Sequence, residues 1–464
     1  MYVCGPTVYD TMHVGHARSF VSFDFIARYL EYRGYRVSLA VNITDVEDKI
    51  IKRASELNVQ ALELSSGFAD AFLRNSTSLL LKPAKVYPKA SDHIPDILDM
   101  IRDLVARGFA YEIEGSVYFD ITKTTEYGKL SGQSPEQILA GARVEIDERK
   151  RHPADFALWK AAKPGEVSWE SPWGQGRPGW HIECSAMSMK YLGKTLDIHG
   201  GGEDLIFPHH ENEIQQSQAF TGVTFSKYWM HGGMLNIAGE KMSKSLHNFM
   251  SVDEALVAHP PETLRFFFAN SLYRRQIDFS PELLIESDRA RRRLEGYVQY
   301  LTSSDLRGNS GAEIASRIRS EFIRSMDDDF NTRDAVASLF SNLREARRFA
   351  EEGRLSADGA KAIVSAVREV NGVMLIFREE AFQKIHLSDT PLASAEDAQI
   401  LLFDEDVGEL LTEEVRTLIS RRNEARKGKR FEEADSIRRE LSAMGILLED
   451  TDSGAVRVRK KHRS

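Results

Sequence analysis

The first 50 residues confine the chain to a parallel, doubly wound sheet. Met1–Cys4 is a short apolar run closed by the turn signal Gly5-Pro6. From Ala17 onward Phe20, Val21, Phe23, Ile26, Ala27 and Leu30 recur at helical spacing, and Gly34 ends the helix. Arg36–Thr44 (RVSLAVNIT) is rich in β-branched and aliphatic residues and reads as a buried strand. Strand, helix and strand in so short a span make a βαβ unit, which needs helices packed on its sheet. No GxGxxG follows the first strand, so the dinucleotide-binding variant is disfavoured.

Residues 50–110 are expected to be helical, followed by a strand at Ser116–Asp120. Lys150–Gly179, rich in Pro, Gly and Trp, reads as an ordered surface excursion. Sheet-like pieces return at Leu196–His199 and Tyr228–Ile237. An insertion of about a hundred residues, about 60–175, is therefore expected to split the nucleotide fold in two. The catalytic unit is placed at 1–282. A helix bundle follows over 283–380, carried by the spacing of Ala335, Leu339, Leu343, Ala346 and Ala350. Residues 381–400 read as a linker, and 400–464 as a basic C-terminal unit: helices 411–427 and 431–444, Gly445, then a strand pair.

The chain of 464 residues carries 61 Lys+Arg against 70 Asp+Glu, a net charge of −9. That balance argues against binding nucleic acid over the whole surface. By segment it reads differently. Arg421–Arg430 (RRNEARKGKR) holds six basic residues and one acid, and Arg457–Arg463 (RVRKKHR) holds five Lys/Arg. Ala395–Glu414 carries eight acids and no Lys or Arg. One basic run is ordinarily a solvated helix face; two in one small unit favour an RNA phosphate backbone. Two cysteines, Cys4 and Cys184, exclude a disulfide scaffold and point to a reducing, cytoplasmic setting. No run approaches a membrane span, and no signal segment opens the chain.

Two motifs suit phosphate chemistry. His13-Val14-Gly15-His16 stands where the loop after the first strand enters the first helix. Unpaired N–H groups of a helix N-terminus attract phosphate, and Gly15 lets a ligand approach the backbone. A capped helix start with surface histidines is the plainer alternative. Lys241-Met242-Ser243-Lys244-Ser245 sets two lysines three residues apart on a Ser-bearing loop, able to neutralise a departing pyrophosphate. A solvated turn is the better explanation of a lone KxxK, but not of the pair of motifs. His209 and Glu213 are i,i+4 and share a helix face, a pairing that suits Zn²⁺. His210 with Glu213 fits by spacing as well, and Cys4 and Cys184 taken alone read as inert buried thiols.

HVGH and KMSKS together resemble the paired signatures of class I aminoacyl-tRNA synthetases. Tyr2–Asp10 (YVCGPTVYD), Asn42–Asp45 (NITD), Gly179–Ser185 (GWHIECS) and Phe207–Glu213 (FPHHENE) narrow the resemblance to the cysteinyl-tRNA synthetase family. It extends to Asp329–Thr332 (DFNT) and Arg422–Arg426 (RNEAR), hence over essentially the whole chain. The resemblance implies a class I Rossmann-type catalytic domain split by an acceptor-binding insertion, then an α-helical bundle and a mixed α/β anticodon-binding domain.

It further implies one Zn²⁺ per subunit on Cys4, Cys184, His209 and Glu213. Gly5, Thr7, Thr44 and Trp180 would line the cysteine pocket, although Trp180 reads equally as a core residue. His13, Gly15, His16 and Lys244 would contact ATP, with His13, His16, Lys241 and Lys244 as the catalytic set. The expected partners are L-cysteine, ATP with Mg²⁺ and tRNA(Cys), with no membrane, for a monomer. Serine differs from cysteine only by oxygen for sulfur, too little for a steric pocket to reject. A soft, thiolate-held zinc prefers the substrate thiolate to a hydroxyl. The resemblance implies roughly twenty further residues upstream; the sequence begins at the first strand instead, which sets Cys4 near a terminus, where chains fray. Two rivals remain: a cysteine:amino-sugar ligase of mycothiol biosynthesis, and a catalytically dead RNA-binding paralogue.

Overall fold

A four-stranded, all-parallel sheet runs in the order Ala40–Val41, Tyr2–Val3, Leu196–Gly202, Ser226–Gly232. The computed structural model describes residues 1–124, 127–133, 149–237, 240–241, 249–304, 306–383, 400–402, 413–428, 430–450 and 456–460. Tyr2 opposes Ala40 on one side and His199 on the other. The strand order reverses at this first strand, and such reversals open a crevice at the carboxyl ends of the strands. Cys4 is the first residue beyond that end, held by its N–H on Gly200 O at 2.8 Å. The Met1 ammonium donates to Ser38 O, so these residues are held rather than frayed.

Two strands are shorter than their apolar runs. Of Arg36–Thr44 only Ala40–Val41 forms a ladder, because residues 33–36 are exposed and the chain reaches the sheet late. Tyr228–Ile237 is not one strand. It breaks at Gly233-Met234, and Leu235–Ile237 joins a separate sheet with Glu240–Lys241 and Ile277–Asp278. The cause is Arg18 on the Val14–Tyr32 helix, whose buried guanidinium donates to Gly233 O and Met234 O at 2.6 Å each.

The expected excursion at Lys150–Gly179 is instead structural. Phe156–Ala161 and Gly176–Pro178 complete an antiparallel sheet with Ala110–Ile113 and Ser116–Phe119. Helix Ile94–Ala106 covers it through Ile97, Ile101 and Leu104, around a fully buried Trp159. The glycine content reflects packing: a Cβ on Gly176 would lie 2.2 Å from the Trp159 indole nitrogen. Trp159→Ala is expected to cost about 3–5 kcal/mol, the usual loss for a buried tryptophan. It should appear as a lower urea midpoint and faster proteolysis within this sheet.

The helices Pro281–Ser303, Ala312–Asp327, Thr332–Glu351 and Ala357–Met374 form the expected bundle. Their apolar core is continuous with that of the parallel sheet. Tyr29, on the first helix, meets Phe322 and Phe330 edge-on at 5.8 and 6.1 Å. Met1–Lys384 is accordingly one compact unit.

The second unit, Ile385–Ser464, contains helices Glu413–Lys427 and Phe431–Ala443 over a three-stranded sheet. Val456–Lys460 lies between antiparallel Ile446–Asp450 and parallel Ile400–Leu402. The last of these strands is absent from the sequence reading. The linker expected over 381–400 lies mostly outside the described residues. Among the described residues no helix is long and apolar enough to cross a membrane.

Candidate active site

Four elements converge at the carboxyl end of the first strand. Cys4 comes from its tip, and Cys184 from helix Trp180–Leu192. His209 and Glu213 come from the entry and first turn of helix Glu211–Thr221. The two sulfurs are 3.8 Å apart without a disulfide, Cys4 Sγ is 3.7 Å from Glu213 Oε1, and His209 Nε2 is 3.0 Å from the same oxygen. All four ligand atoms lie within 4.8 Å of one another, and all four residues are buried. The side chains therefore present a closed donor set able to hold a metal ion.

A second set shares part of this one: Cys4 and Glu213 with His199 and His210. His210 Nε2 is 3.3 Å and His199 Nε2 3.5 Å from Cys4 Sγ. His210 Nδ1 meets His231 Nε2 at 2.8 Å, while His209 Nδ1 meets His181 Nδ1 at 3.1 Å. Burial foremost holds His181, His199 and His210 far below the usual imidazole range, and lowers His231 to about 4. A neutral imidazole has one N–H, so each contact assigns a tautomer. If His209 turns Nε2 to a metal, its Nδ1–H donates to His181; His210 can donate Nε2–H to Cys4 while accepting from His231.

Burial raises the Cys4 thiol, its bond to Cys184 and the nearby acids adding to this. Cys184 is also desolvated, but hydrogen bonds with Cys4 and His209 outweigh that and bring it to about 7. Cys184 is thus the readier thiolate. Glu213 is pushed well up by burial. A cation placed among these groups would favour their deprotonated forms, so metal uptake would release protons.

Beside this cluster, Gly5, Thr7 and Thr44 come together. Thr7 and Thr44 form a parallel bridge, Asn42 Nδ2 donates to Thr44 Oγ1 at 3.2 Å, and Gly5 N–H donates to Asn42 Oδ1 at 2.8 Å. Gly5 has to be glycine, since a Cβ there would stand 1.6 Å from Asn42 O. Trp180 is half-buried and stacks on His209, with centroids 4.3 Å apart. It lies at the cluster rather than in the insertion's core.

His13 caps the Val14–Tyr32 helix, its Nδ1 accepting from His16 N–H at 3.2 Å, and the two rings stack at 3.6 Å. Gly15 lies half-buried between them. Val14 N–H donates to Met250 O and Val252 N–H to Met12 O, which fastens this turn to the chain leaving the KMSKS segment. The backbone of Lys241 belongs to the strand entering it. Lys244 and the side chain of Lys241 lie outside the described residues. The flank that leaves the lysine loop is therefore fastened beside the HVGH turn.

In the second unit Arg421, Arg426 and Arg430 are exposed, while Arg422 is buried. The first basic run is thus not wholly a surface feature.

Sequence reading assigns no role to His181, His199 or His231, and His210 enters only as an alternative partner for Glu213. His181 and His210 lie inside the motifs that carry the resemblance. His199 and His231, within apolar strands, offered only the oddity of a histidine in a sheet interior.

Family models and relatives agree over most of the length. Residues 1–289 match the class I (C) tRNA synthetase catalytic domain, 321–378 a DALR domain, and 409–459 a cysteinyl-tRNA ligase anticodon-binding domain. Cysteine–tRNA ligase of Carboxydothermus hydrogenoformans is 45% identical over 98% of this chain and 94% of its own. That of Geobacillus thermodenitrificans is 46% identical over 98% and 93%. Among solved structures, methionyl-tRNA synthetase of Mycobacterium tuberculosis with methionyl-adenylate superposes with a TM-score of 0.60. It is 16% identical and covers 82% of this chain and 92% of that one, a likeness of fold.

Proposed function

The chain belongs to the cysteine–tRNA ligase family and joins L-cysteine to tRNA; from that premise we propose that it works through cysteinyl-adenylate, with Zn²⁺ on Cys4, Cys184, His209 and Glu213 selecting the thiolate. The observation that carries the metal assignment is the sulfur pair. Tetrahedral zinc with Zn–S of about 2.3 Å sets two sulfurs about 3.8 Å apart, and Cys4 and Cys184 stand at 3.8 Å. The alternative set has one sulfur, and its imidazole nitrogens lie 3.3 and 3.5 Å from that sulfur, at hydrogen-bond distance. When bound, the ion supplies a soft Lewis acid that holds a substrate thiolate far better than a neutral hydroxyl.

The remaining steps belong to the chain itself. Gly5, Thr7, Thr44 and Trp180 form the walls that hold the amino acid beside the cluster. The α-carboxylate is already ionised and attacks the α-phosphorus of Mg·ATP without a general base. The work left is positioning and charge stabilisation. His13, Gly15 and His16 at the helix N-terminus face the phosphates, and Lys241 and Lys244 neutralise the departing pyrophosphate. A ribose hydroxyl of the terminal adenosine of tRNA(Cys) then attacks the adenylate's carbonyl carbon, forming the cysteinyl ester as the acyl–phosphate bond breaks and AMP leaves. The insertion would receive the acceptor end and the C-terminal unit the anticodon. We assign the protein to the cytoplasm as a monomer, in keeping with two reduced, buried cysteines.

Two assays test this reading: cysteine-dependent ATP–pyrophosphate exchange, and charging of tRNA(Cys). A chain ending at residue 384 should keep exchange within about threefold and lose charging by about 100-fold or more, since phosphate contacts supply most RNA affinity. Exchange without any charging by the full chain would overturn the reading in favour of an amino-sugar acceptor.

A further inference from the structure

Helices Pro281–Ser303 and Thr332–Glu351 pack side by side and run in the same direction, since Arg293 meets Phe340 while Tyr297 and Tyr300 meet Arg347. Their outer faces form one groove. Arg289, Arg293, Tyr297 and Tyr300 recur at helical spacing along one wall, and Arg333, Phe340, Arg344 and Arg347 along the other. From Arg333 to Arg347 that wall is about 21 Å long, at 1.5 Å per residue. The three aromatic rings are half-buried and form the floor. The Arg293 guanidinium lies 5.1 Å from the Phe340 ring, and that of Arg347 lies 5.2 Å from Tyr300 and 5.8 Å from Tyr297. Such stacking orders a guanidinium while leaving its N–H groups for another partner.

The charge balance sets this face apart. Elsewhere on the bundle Arg317 pairs with Glu345, Arg319 with Glu369 at 2.7 Å, and Arg368 with Glu379. Arg289, Arg293, Arg333 and Arg344 are exposed and have no carboxylate partner among the described residues. In the groove Arg347 is bound to Glu351 at 2.8 Å, and the exposed Glu286 stands one turn before Arg289. One basic run is ordinarily a solvated helix face. Arginines left without carboxylates on two adjacent helices, in a chain of net charge −9, instead concentrate positive charge along a line where a polyanion would lie.

We infer that this groove is a docking surface for RNA, holding the phosphate backbone of a double-stranded stem of the tRNA. The inference rests on the tRNA-ligase reading above and extends it to a face outside the amino-acid site and the C-terminal unit. A guanidinium fork fits phosphate oxygens, and contacts of this kind fix position without reading sequence. Single-stranded RNA would need open ring faces on which to stack its bases. Here Arg293 and Arg347 cover those faces, which leaves the backbone of a duplex as the better fit.

The test is the salt dependence of tRNA(Cys) binding. Dissociation constants are measured from about 50 to 200 mM salt for the full-length protein and for a fourfold variant, Arg289→Gln, Arg293→Gln, Arg333→Gln and Arg344→Gln. Each phosphate contact contributes about 0.7–0.9 to the slope of log K against log[salt], so the slope should fall by about 3 and the affinity by about 30-fold. In charging assays the loss should appear in the Km for tRNA, with kcat and RNA-independent ATP–pyrophosphate exchange near native. A control carrying Arg317→Gln, Arg319→Gln and Arg368→Gln, which removes paired arginines from the same bundle, should change the slope by less than about 1. Binding of single-stranded poly(A) should weaken by less than about threefold in the fourfold variant. A fourfold variant with the native slope, or one that loses poly(A) as much as tRNA, would overturn the inference. Failure of the native chain to bind and charge tRNA(Cys) would overturn the underlying reading instead, so the two failures are distinguishable.

Discussion

Cys184→Ala should lose its zinc and, with it, cysteine-dependent ATP–pyrophosphate exchange by about 1,000-fold. Altering an outer partner of a metal ligand costs roughly 10–100-fold, and removing a ligand outright should cost more. Cys184 is the thiol that ionises more readily, at about 7, and it stands 3.8 Å from Cys4. Its loss leaves one thiolate in a buried set with two weaker donors. Discrimination should fall too. A site that recognises a specific polar group rejects analogues by about 10⁴–10⁵, whereas shape alone gives about 10–100. The preference for cysteine over serine should drop from the first range to the second. Metal analysis of the purified variant, with exchange assayed in parallel for both amino acids, checks both results. A zinc-free variant with native exchange and native rejection of serine would refute the assignment of selectivity to the metal.

His199→Ala should behave differently, because its imidazole touches Cys4 at 3.5 Å while belonging only to the alternative set. Zinc retention in that variant separates an outer donor from a ligand.

Residues that act through a local pattern were legible in the chain; those that act through distant packing were not. HVGH reads from sequence because the turn, the cap and the helix are contiguous, and His13 does cap that helix. Cys4 and Cys184 are 180 positions apart and signalled nothing by spacing. Only the family resemblance joined them. The histidines around Cys4 were hidden for the same reason, since His199 and His231 come from two neighbouring parallel strands. The insertion's sheet was missed because glycine and proline ordinarily mark loops. Here Gly176 makes room for the Trp159 indole, a tertiary fact with no local trace. Similarly, nothing within Tyr228–Ile237 reports that Arg18, more than two hundred residues earlier, takes two of its carbonyls.

Asp24→Ala is expected to be strongly destabilising although remote from the site. Asp24 Oδ2 meets Arg265 at 2.6 Å, with side chains 4% and 0% exposed. Arg265 also donates to Met374 O at 2.9 Å and Leu79 O at 3.2 Å, and its guanidinium lies 4.8 Å over the Phe25 ring. One buried cation thus joins the first helix, the Pro261–Ala269 helix and the end of the bundle. Burial already lowers the pKa of Arg265, and the Asp24 charge opposes that. Removing the carboxylate leaves an uncompensated buried charge, which costs about 3–5 kcal/mol. Asp24 also accepts from Arg28 and from Lys82 N–H, so Arg265→Met leaves the acid partnered and should cost less. The double variant should therefore be more stable than Asp24→Ala alone, a non-additivity typical of residues in one network. Urea midpoints of the three variants decide the matter. Equal losses in the two single variants, simply summed in the double, would mean that the pair makes no net coupling. Pyrophosphate exchange per folded molecule should stay near native in all three, because none of these groups reaches the cluster around Cys4.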